Sequence, residues 1–467
     1  MKKKLDFKEI LLIGSLLFGL YFGAGNLIFP LELGQKSGYN LTPVTIGFLI
    51  SGVGLPVIGI VAAALTDSES LFEMVRPAGD KFAYFMTILL YLTIGPGFAI
   101  PRTATVSYEV SLKGVLNISD GITLLLFSLV FFALALYFAL NRGKLVDTIG
   151  KYMTPIFLVL LAILVILSLI NPMGPLKSIE PTKTYANSPF IKGIVDGYNT
   201  LDAPASLAFA VIIIGAVKDL GIKEPSRVAS ETFKSGLVCL VGMSLVYAML
   251  AILGSESTAI FQIQENGALV LAKISHFYLG KYGHILLSLI VTLACLKTCI
   301  GLISACSEMF NKLLKFDISY EKYCFIFAGV SFLIANLGLN TIISLSIPVL
   351  MFLYPLCIVL IILSLLSKKL GKNQIIYKWT LGFTCIAAFF DFLKNSPEII
   401  SKSNIVENFL ALPKGILPGF DLGFSWISLG LIGFIIGFII DKSKNKSKIW
   451  IVLAARLPVF LRGELWD

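Results

Sequence analysis

Long apolar runs recur from one end of the chain to the other, separated by short polar connections. A bilayer core about 30 Å thick needs roughly 20 apolar residues for each helical crossing. By this criterion the pattern predicts an all-α integral membrane protein with twelve spans. Their approximate ranges are 9–33, 42–65, 82–111, 121–140, 151–170, 191–217, 235–255, 283–311, 321–337, 340–366, 377–393 and 420–440.

The twelve predicted spans divide the chain into four segments. Residues 1–170 hold spans one to five and residues 171–367 hold spans six to ten, which we interpret as two inverted repeats. Residues 368–441 hold spans eleven and twelve, and residues 442–467 form a basic and then apolar tail. Because the apolar part of the tail is too short to cross a bilayer, we expect it to lie on the inner membrane surface.

Composition and charge agree with a membrane protein. The chain is 57% hydrophobic and 14% charged, whereas soluble domains carry roughly 25% charged residues. If both termini are cytoplasmic, 26 of the 38 Lys and Arg residues lie on the inner side and 10 on the outer side. This asymmetry predicts a multi-pass protein of the cytoplasmic membrane with both termini inside. The net charge of +10 is thus explained by topology and anionic lipid, not by nucleic acid.

The residues that commonly carry metal or catalytic chemistry are scattered. All seven cysteines lie in or beside apolar runs without a C-x-x-C pair, and both histidines are far from acidic clusters. The pattern therefore disfavours a disulfide framework, a transition-metal site and a cofactor. No constellation of nucleophile, base and metal ligand indicates a membrane-embedded enzyme.

Two predicted spans are interrupted at their centres. The first has three glycines, Asn26 and Pro30 within residues 19–30, and the sixth has six polar or helix-breaking residues within 196–206. Irregular backbone survives in a bilayer only where it lines a cavity or is covered by protein. Paired interruptions at corresponding positions of two repeats indicate a solute site near the bilayer midplane. Close helix packing is the alternative explanation for the glycines.

Several stretches, from the first span to the eighth, carry a family resemblance. They are 22–30, 93–96, 98–104, 144–151, 197–209, 300–302 and 304–308. In them the chain resembles the branched-chain amino acid:cation symporters (LIVCS, BrnQ-like), within the amino acid/polyamine/organocation superfamily with the LeuT-type fold. The resemblance implies sodium-coupled uptake of leucine, isoleucine and valine, with spans one to ten as the core and spans eleven and twelve at the periphery. We expect transport by alternating access and a monomer.

The resemblance also implies a substrate site. The substrate carboxylate would meet backbone N–H groups near Ala24 and Gly25, and its ammonium would meet carbonyls near Tyr21 and near Tyr198 or Asn199. The residues expected to surround the aliphatic side chain come from spans three, six and eight: Gly97, Phe98, Ala205 and Ile300.

Two polar residues at the interruptions have two interpretations each. Asn26 could supply an oxygen to a second cation, or it could cap the second half of the first span. Asp202 could face the substrate ammonium, but we favour a structural role in which it accepts backbone N–H bonds.

A cation site is implied between the first and eighth spans. It would combine the carbonyls of Gly19 and Phe22 with Ala294, Lys297 and Thr298, where the family usually has a hydroxyl in place of Lys297. One hypothesis is that the Lys297 ammonium replaces sodium, so that transport is proton-coupled or uncoupled. The alternative is that Lys297 snorkels or faces a water-filled vestibule while sodium binds normally.

Arg102 lies toward the outer end of the third predicted span, behind Pro101. It could form an extracellular gate with an acidic partner, or it could snorkel to the outer headgroups. Two other functions stay open on the same fold: a carrier of a different small solute, and a transport-dead amino acid sensor.

Overall fold

The computed structural model describes residues 4–66, 68, 70–114, 119–141, 154–176, 179–314 and 316–456. Every regular element within these ranges is helical. The end of the predicted tail, 457–467, lies outside the described residues, as does the whole 144–151 stretch.

The helices follow the predicted spans. In chain order they are α1 Phe7–Tyr21, α2 Ala24–Ser37, α3 Leu41–Leu49, α4 Leu55–Leu65, α5 Leu71–Val75, α6 Asp80–Leu92, α7 Ala99–Ser111, α8 Asp120–Leu140, α9 Thr154–Ile170, α10 Lys183–Ala186, α11 Pro189–Gly197, α12 Asp202–Asp219, α13 Pro225–Ser257, α14 Gly267–Leu313, α15 Tyr320–Ala335, α16 Leu339–Leu370, α17 Gln374–Lys394, α18 Glu398–Ser401, α19 Asn404–Ile416 and α20 Ser425–Arg456.

The all-α membrane fold is confirmed. Eight helical stretches of the described chain are long and apolar enough to cross a bilayer, and a bent pair formed by Pro189–Thr200 and Asp202–Asp219 makes a ninth. A helix lies within each of the twelve predicted ranges, although the total of twelve crossings stays a prediction. The eighth span agrees with its predicted range, because its apolar stretch covers Leu287–Leu313; α14 itself begins at Gly267 and kinks at Gly280, where φ is +58°. A glycine tolerates this left-handed backbone without a Cβ clash.

Both predicted interruptions are present. The first span breaks between α1 and α2, where Phe22 and Gly23 have extended backbone. The sixth span breaks between α11 and α12, through a 3₁₀ turn over Tyr198–Thr200 that ends at Leu201. Leu201 has a φ of +66°, and the helical segments before and after it, Pro189–Thr200 and Asp202–Asp219, are bent by 46° relative to each other. Left-handed backbone at a branched residue costs roughly 1–3 kcal/mol, so the surrounding packing must hold it in place.

A third interruption was not predicted. The third span changes from α6 to a π turn over Thr93–Gly97, in which Gly95 has non-helical backbone and Pro96 follows, before α7 begins at Ala99. Proline removes a backbone donor and clashes with the preceding turn, so the helix cannot continue unbroken. This break faces the centre of the molecule.

Glycines hold the broken spans against their neighbours by backbone contact. A Cβ placed on Gly193 of α11 would lie 2.0 Å from the Val44 carbonyl oxygen of α3, and one on Gly47 would lie 2.1 Å from the Phe190 oxygen. The second half of the first span is held in the same way, because a Cβ on Gly34 would lie 2.1 Å from the Ala251 oxygen of α13. Small residues at such crossings allow helices to approach closely in lipid.

Candidate functional site

A small cavity lies where the three interrupted spans meet. Its volume is about 40 Å³, which is room for water but far below the roughly 300–1,000 Å³ of small-molecule sites. The space at this point is therefore too small for an amino acid in this structure. The lining residues come from the breaks in spans one, three and six, and from α14: Leu20, Tyr21, Gly23, Ala24, Gly25, Asn26, Ile94, Ala99, Arg102, Thr103, Thr200, Leu201, Asp202, Ala205, Phe209, Thr298 and Leu302.

A buried polar triad joins the two predicted breaks. The Asn26 amide nitrogen donates to Asp202 Oδ2 at 2.7 Å, and the Tyr247 hydroxyl of α13 donates to the same oxygen at 3.0 Å. Asn26 also contacts the Tyr247 hydroxyl. All three side chains are buried. Fully satisfied polar networks of this kind rigidify a buried site.

The interpretations of Asn26 and Asp202 depend on the hydrogen bonds that their side chains form. The Asn26 side-chain oxygen accepts the Gly23 N–H at 2.9 Å, so Asn26 does cap the start of α2. Within the described residues Asp202 accepts from side chains, not from the backbone N–H groups that we expected. The reason is that its carboxylate, in the first turn of α12, reaches across to the first span and to α13.

Arg102 is buried, with 2% of its surface exposed. Its Nη1 donates to the Asn199 carbonyl oxygen at 2.7 Å, and its Nη2 donates to Ser346 Oγ at 3.0 Å. The guanidinium carbon lies 5.2 Å from the centre of the Phe29 ring. The snorkelling alternative is therefore wrong: because the third span is interrupted just before α7, Arg102 is held at the cavity and against the unwound part of span six.

Oxygen atoms from the first and eighth spans converge beside the cavity. Thr298 Oγ1 lies 3.5 Å from the Phe22 carbonyl oxygen and 3.1 Å from the Ala294 carbonyl oxygen. Carbonyl and hydroxyl oxygens are the ligands that hard cations prefer. These three predicted residues thus fit a sodium ion, although Gly19 and the buried Lys297 do not line the cavity.

The structure divides the remaining predicted residues into two groups. Tyr21, Ala24, Gly25 and Ala205 line the cavity with Asn26, Asp202, Arg102 and Thr298. Gly97, Phe98, Tyr198, Asn199 and Ile300 do not line it. The roles assigned to both groups stay predictions.

Helix geometry explains part of this division. Thr298 and Leu302 are four residues apart and share one face of α14, whereas Ile300 lies between them and points elsewhere. Leu302 could have been found from this spacing. Tyr198 stacks on Tyr354, with ring centres 4.0 Å apart, and so points away from the cavity. Tyr247 had no local signal, because its two partners are 45 and 221 residues away.

A larger cavity of about 670 Å³ lies along α12 and α14, farther from the centre of the molecule. Its walls include Ala208 and Gly215 of α12 and Ala305 of α14, and charged residues such as Glu308 and Lys218 surround it. By the charge distribution, this side is predicted to be cytoplasmic. We call this cavity the inner vestibule.

Comparisons with known proteins give a consistent result. The family described as "Branched-chain amino acid transport protein" matches residues 6–444. The chain is 42% identical over 429 residues to the branched-chain amino acid permease BrnQ of Lactobacillus delbrueckii subsp. lactis, covering 91% of this chain and 95% of the relative. It is 39% identical over 451 residues to the permease BraB of Bacillus subtilis (strain 168), covering 96% and 99%.

Two solved structures share the fold. Mhp1, a nucleobase-cation-symport-1 family transporter in a closed conformation with bromovinylhydantoin bound, aligns with a TM-score of 0.59 and 12% identity, over 94% of this chain and 93% of that one. MhsT in complex with L-phenylalanine aligns with a TM-score of 0.54 and 16% identity, over 94% and 99%. These likenesses confirm the LeuT-type architecture.

Proposed function

The chain belongs to the branched-chain amino acid transport protein family, and from this premise we propose that it imports leucine, isoleucine and valine across the cytoplasmic membrane. As a member of a transporter family, it is not an enzyme. One observation supports the proposal above others: the unwound segments of spans one and six face each other across a single buried cavity.

The cavity wall suits an aliphatic amino acid. Ala24 and Gly25 stand in the first turn of α2, where free backbone N–H groups and the helix dipole favour a carboxylate. Ala205, Phe209 and Leu302 offer apolar surface on the facing helices. An apolar pocket distinguishes one methylene by only roughly 1–3 kcal/mol. Grouped recognition of the three branched-chain amino acids therefore follows more readily than choice of one.

The two cavities support transport by alternating access. The central cavity is too small for an amino acid in this structure, and α12 and α14 continue from it to the inner vestibule. A substrate in the centre is separated from the vestibule by the helical turns around Phe209 and Leu302. Movement of these turns about the breaks in spans one and six would open the inner path.

Cation coupling forms part of the proposal. In one case, the Phe22 and Ala294 carbonyls and the Thr298 hydroxyl hold sodium. In the other case, the ammonium of the buried Lys297 replaces the charge of sodium. Leucine uptake with sodium replaced by choline distinguishes these cases. A strict sodium requirement in the wild-type protein would defeat replacement by Lys297. Under replacement, Lys297→Thr should increase sodium dependence.

Counterflow in proteoliposomes tests the transport function. Vesicles loaded with unlabelled leucine should accumulate labelled leucine, and excess isoleucine or valine should compete. Ala205→Phe, which fills the cavity, should abolish exchange, whereas Ala133→Phe on the exposed face of α8 should leave it intact.

Two results would contradict the proposal. Binding of leucine without any counterflow would indicate a sensor. Exchange of another solute, without competition by branched-chain amino acids, would indicate a carrier of different specificity.

A further inference from the structure

The Arg102 guanidinium is charged, buried and only partly used. A guanidinium carries five N–H donors, and here two protein acceptors are present, the Asn199 carbonyl and the Ser346 hydroxyl. Its Nε has no acceptor among the residues that the structure describes. Within the same ranges no carboxylate forms an ion pair with it. A buried charge without a counter-charge is costly, and such residues in a membrane mark functional sites.

The cavity also has an acidic side chain. Asp202 lines the same cavity as Arg102, and its Oδ2 accepts from two neutral donors, Asn26 and Tyr247. Arg102 of span three and Asp202 of span six are thus each surrounded by neutral groups. No ion pair joins these two described residues.

Arg102 lies beside the expected position of a carboxylate. Its Nη1 is 2.7 Å from the Asn199 carbonyl oxygen, and a Cβ placed on Gly25 would be 3.6 Å from that same oxygen. The guanidinium and the first turn of α2 therefore both lie near the Asn199 carbonyl, and Arg102 and Gly25 both line the cavity. A single carboxylate at this point could accept from both.

We propose that Arg102 and Asp202 recognise the two ends of a zwitterion: Arg102 binds the substrate carboxylate, and Asp202 faces the substrate ammonium. This inference rests on the proposed function and deepens it. A zwitterion supplies a carboxylate for the Arg102 guanidinium and an ammonium for the Asp202 carboxyl group at once. An amine lacks the group that Arg102 would bind, and an acid lacks the group that Asp202 would face. Selectivity for α-amino acids then arises from charged side chains in addition to the backbone of the two breaks.

The test compares three ligands of equal aliphatic shape. Binding of L-leucine, 3-methylbutylamine and 4-methylpentanoate is measured by isothermal titration on the purified full chain. The wild-type protein should prefer leucine by roughly 100-fold or more over each analogue. Equal binding of leucine and the amine by the wild-type protein would overturn the inference without any variant.

Variants assign each end of the ligand. Arg102→Gln should weaken leucine binding roughly 30-fold or more, while the amine, which never used the guanidinium, changes by less than about threefold. Asp202→Asn should reduce discrimination against 4-methylpentanoate by a similar factor. Arg102→Lys keeps the charge but loses the planar fork, so it should recover part of the leucine affinity. Arg227→Gln is the matched control, because this partly exposed arginine forms its ion pair with Glu224, and it does not line the central cavity.

Each outcome has one meaning. If Arg102→Gln weakens leucine and amine by the same factor, or weakens neither, Arg102 only supports the fold and the inference is wrong. If Arg102→Gln fails to fold, the inference is tested by the leucine affinity of Arg102→Lys and by the preference of the wild-type protein among the three ligands. If the wild-type protein binds none of the three ligands, the proposed function itself is refuted, and the inference falls with it.

Discussion

The contact between α3 and α11 should not tolerate a methyl group. Gly193 lies in α11, the first half of the broken sixth span, and Gly193→Ala would place a Cβ 2.0 Å from the Val44 carbonyl oxygen and 3.1 Å from the Phe48 nitrogen. Both neighbours are backbone atoms, so no side-chain rotation relieves the clash. The two helices must separate by more than about 1 Å to restore ordinary van der Waals contact.

The expected change in the free energy of unfolding follows from two opposing effects. Overpacking a tight interface costs about 1–3 kcal/mol, whereas replacing a helical glycine by alanine gains roughly 0.5–1 kcal/mol. Gly215→Ala is the matched control, because Gly215 lies in α12 of the same span with open space around its Cα. We therefore expect Gly193→Ala to be less stable than Gly215→Ala by roughly 2 kcal/mol.

The assay is unfolding of both variants in the same detergent, followed by circular dichroism during titration with sodium dodecyl sulfate. Leucine affinity should fall in Gly193→Ala as well, because α11 carries the Tyr198–Thr200 turn to the cavity. Ser51, which donates to the Ile194 carbonyl at 2.7 Å, would lose this bond when the helices separate. Equal stability of the two alanine variants would refute the backbone contact.

Three further predictions follow. Tyr247→Phe removes a donor to buried Asp202, so the free energy of unfolding should fall by about 1–3 kcal/mol and leucine affinity should fall with it; wild-type values for both would contradict the triad. Gly267→Ala should lower the thermal unfolding midpoint more than Gly301→Ala, because only the first Cβ meets backbone, 1.8 Å from the Ile28 oxygen; equal midpoints would contradict that contact. Ala305→Cys, in the inner vestibule, should react with an impermeant thiol reagent from the cytoplasmic side above the wild-type background; reaction only from outside would invert the predicted orientation.

The elements and their type were predictable because the bilayer imposes a simple length rule. Apolar runs located a helix in each predicted span, and Asn26 with its neighbouring glycines marked the first break. The same reasoning missed the break at Gly95 and Pro96, although both residues are helix breakers, because the surrounding apolar run is long enough to hide it.

The site was only partly predictable because its geometry depends on distant contacts. Tyr247 meets Asp202 through the packing of α12 and α13, which no local pattern encodes. Arg102 was expected near the outer end of its span. The unpredicted break before α7 and the contact with Asn199 hold it at the cavity instead.

The most direct measurement is an experimental structure of the protein with bound leucine. The account predicts density for the amino acid between residues 23–26 and 199–202, with its side chain toward Ala205 and its carboxylate near Arg102. Leucine bound elsewhere, or spans one and six present as continuous helices without a shared cavity, would contradict it.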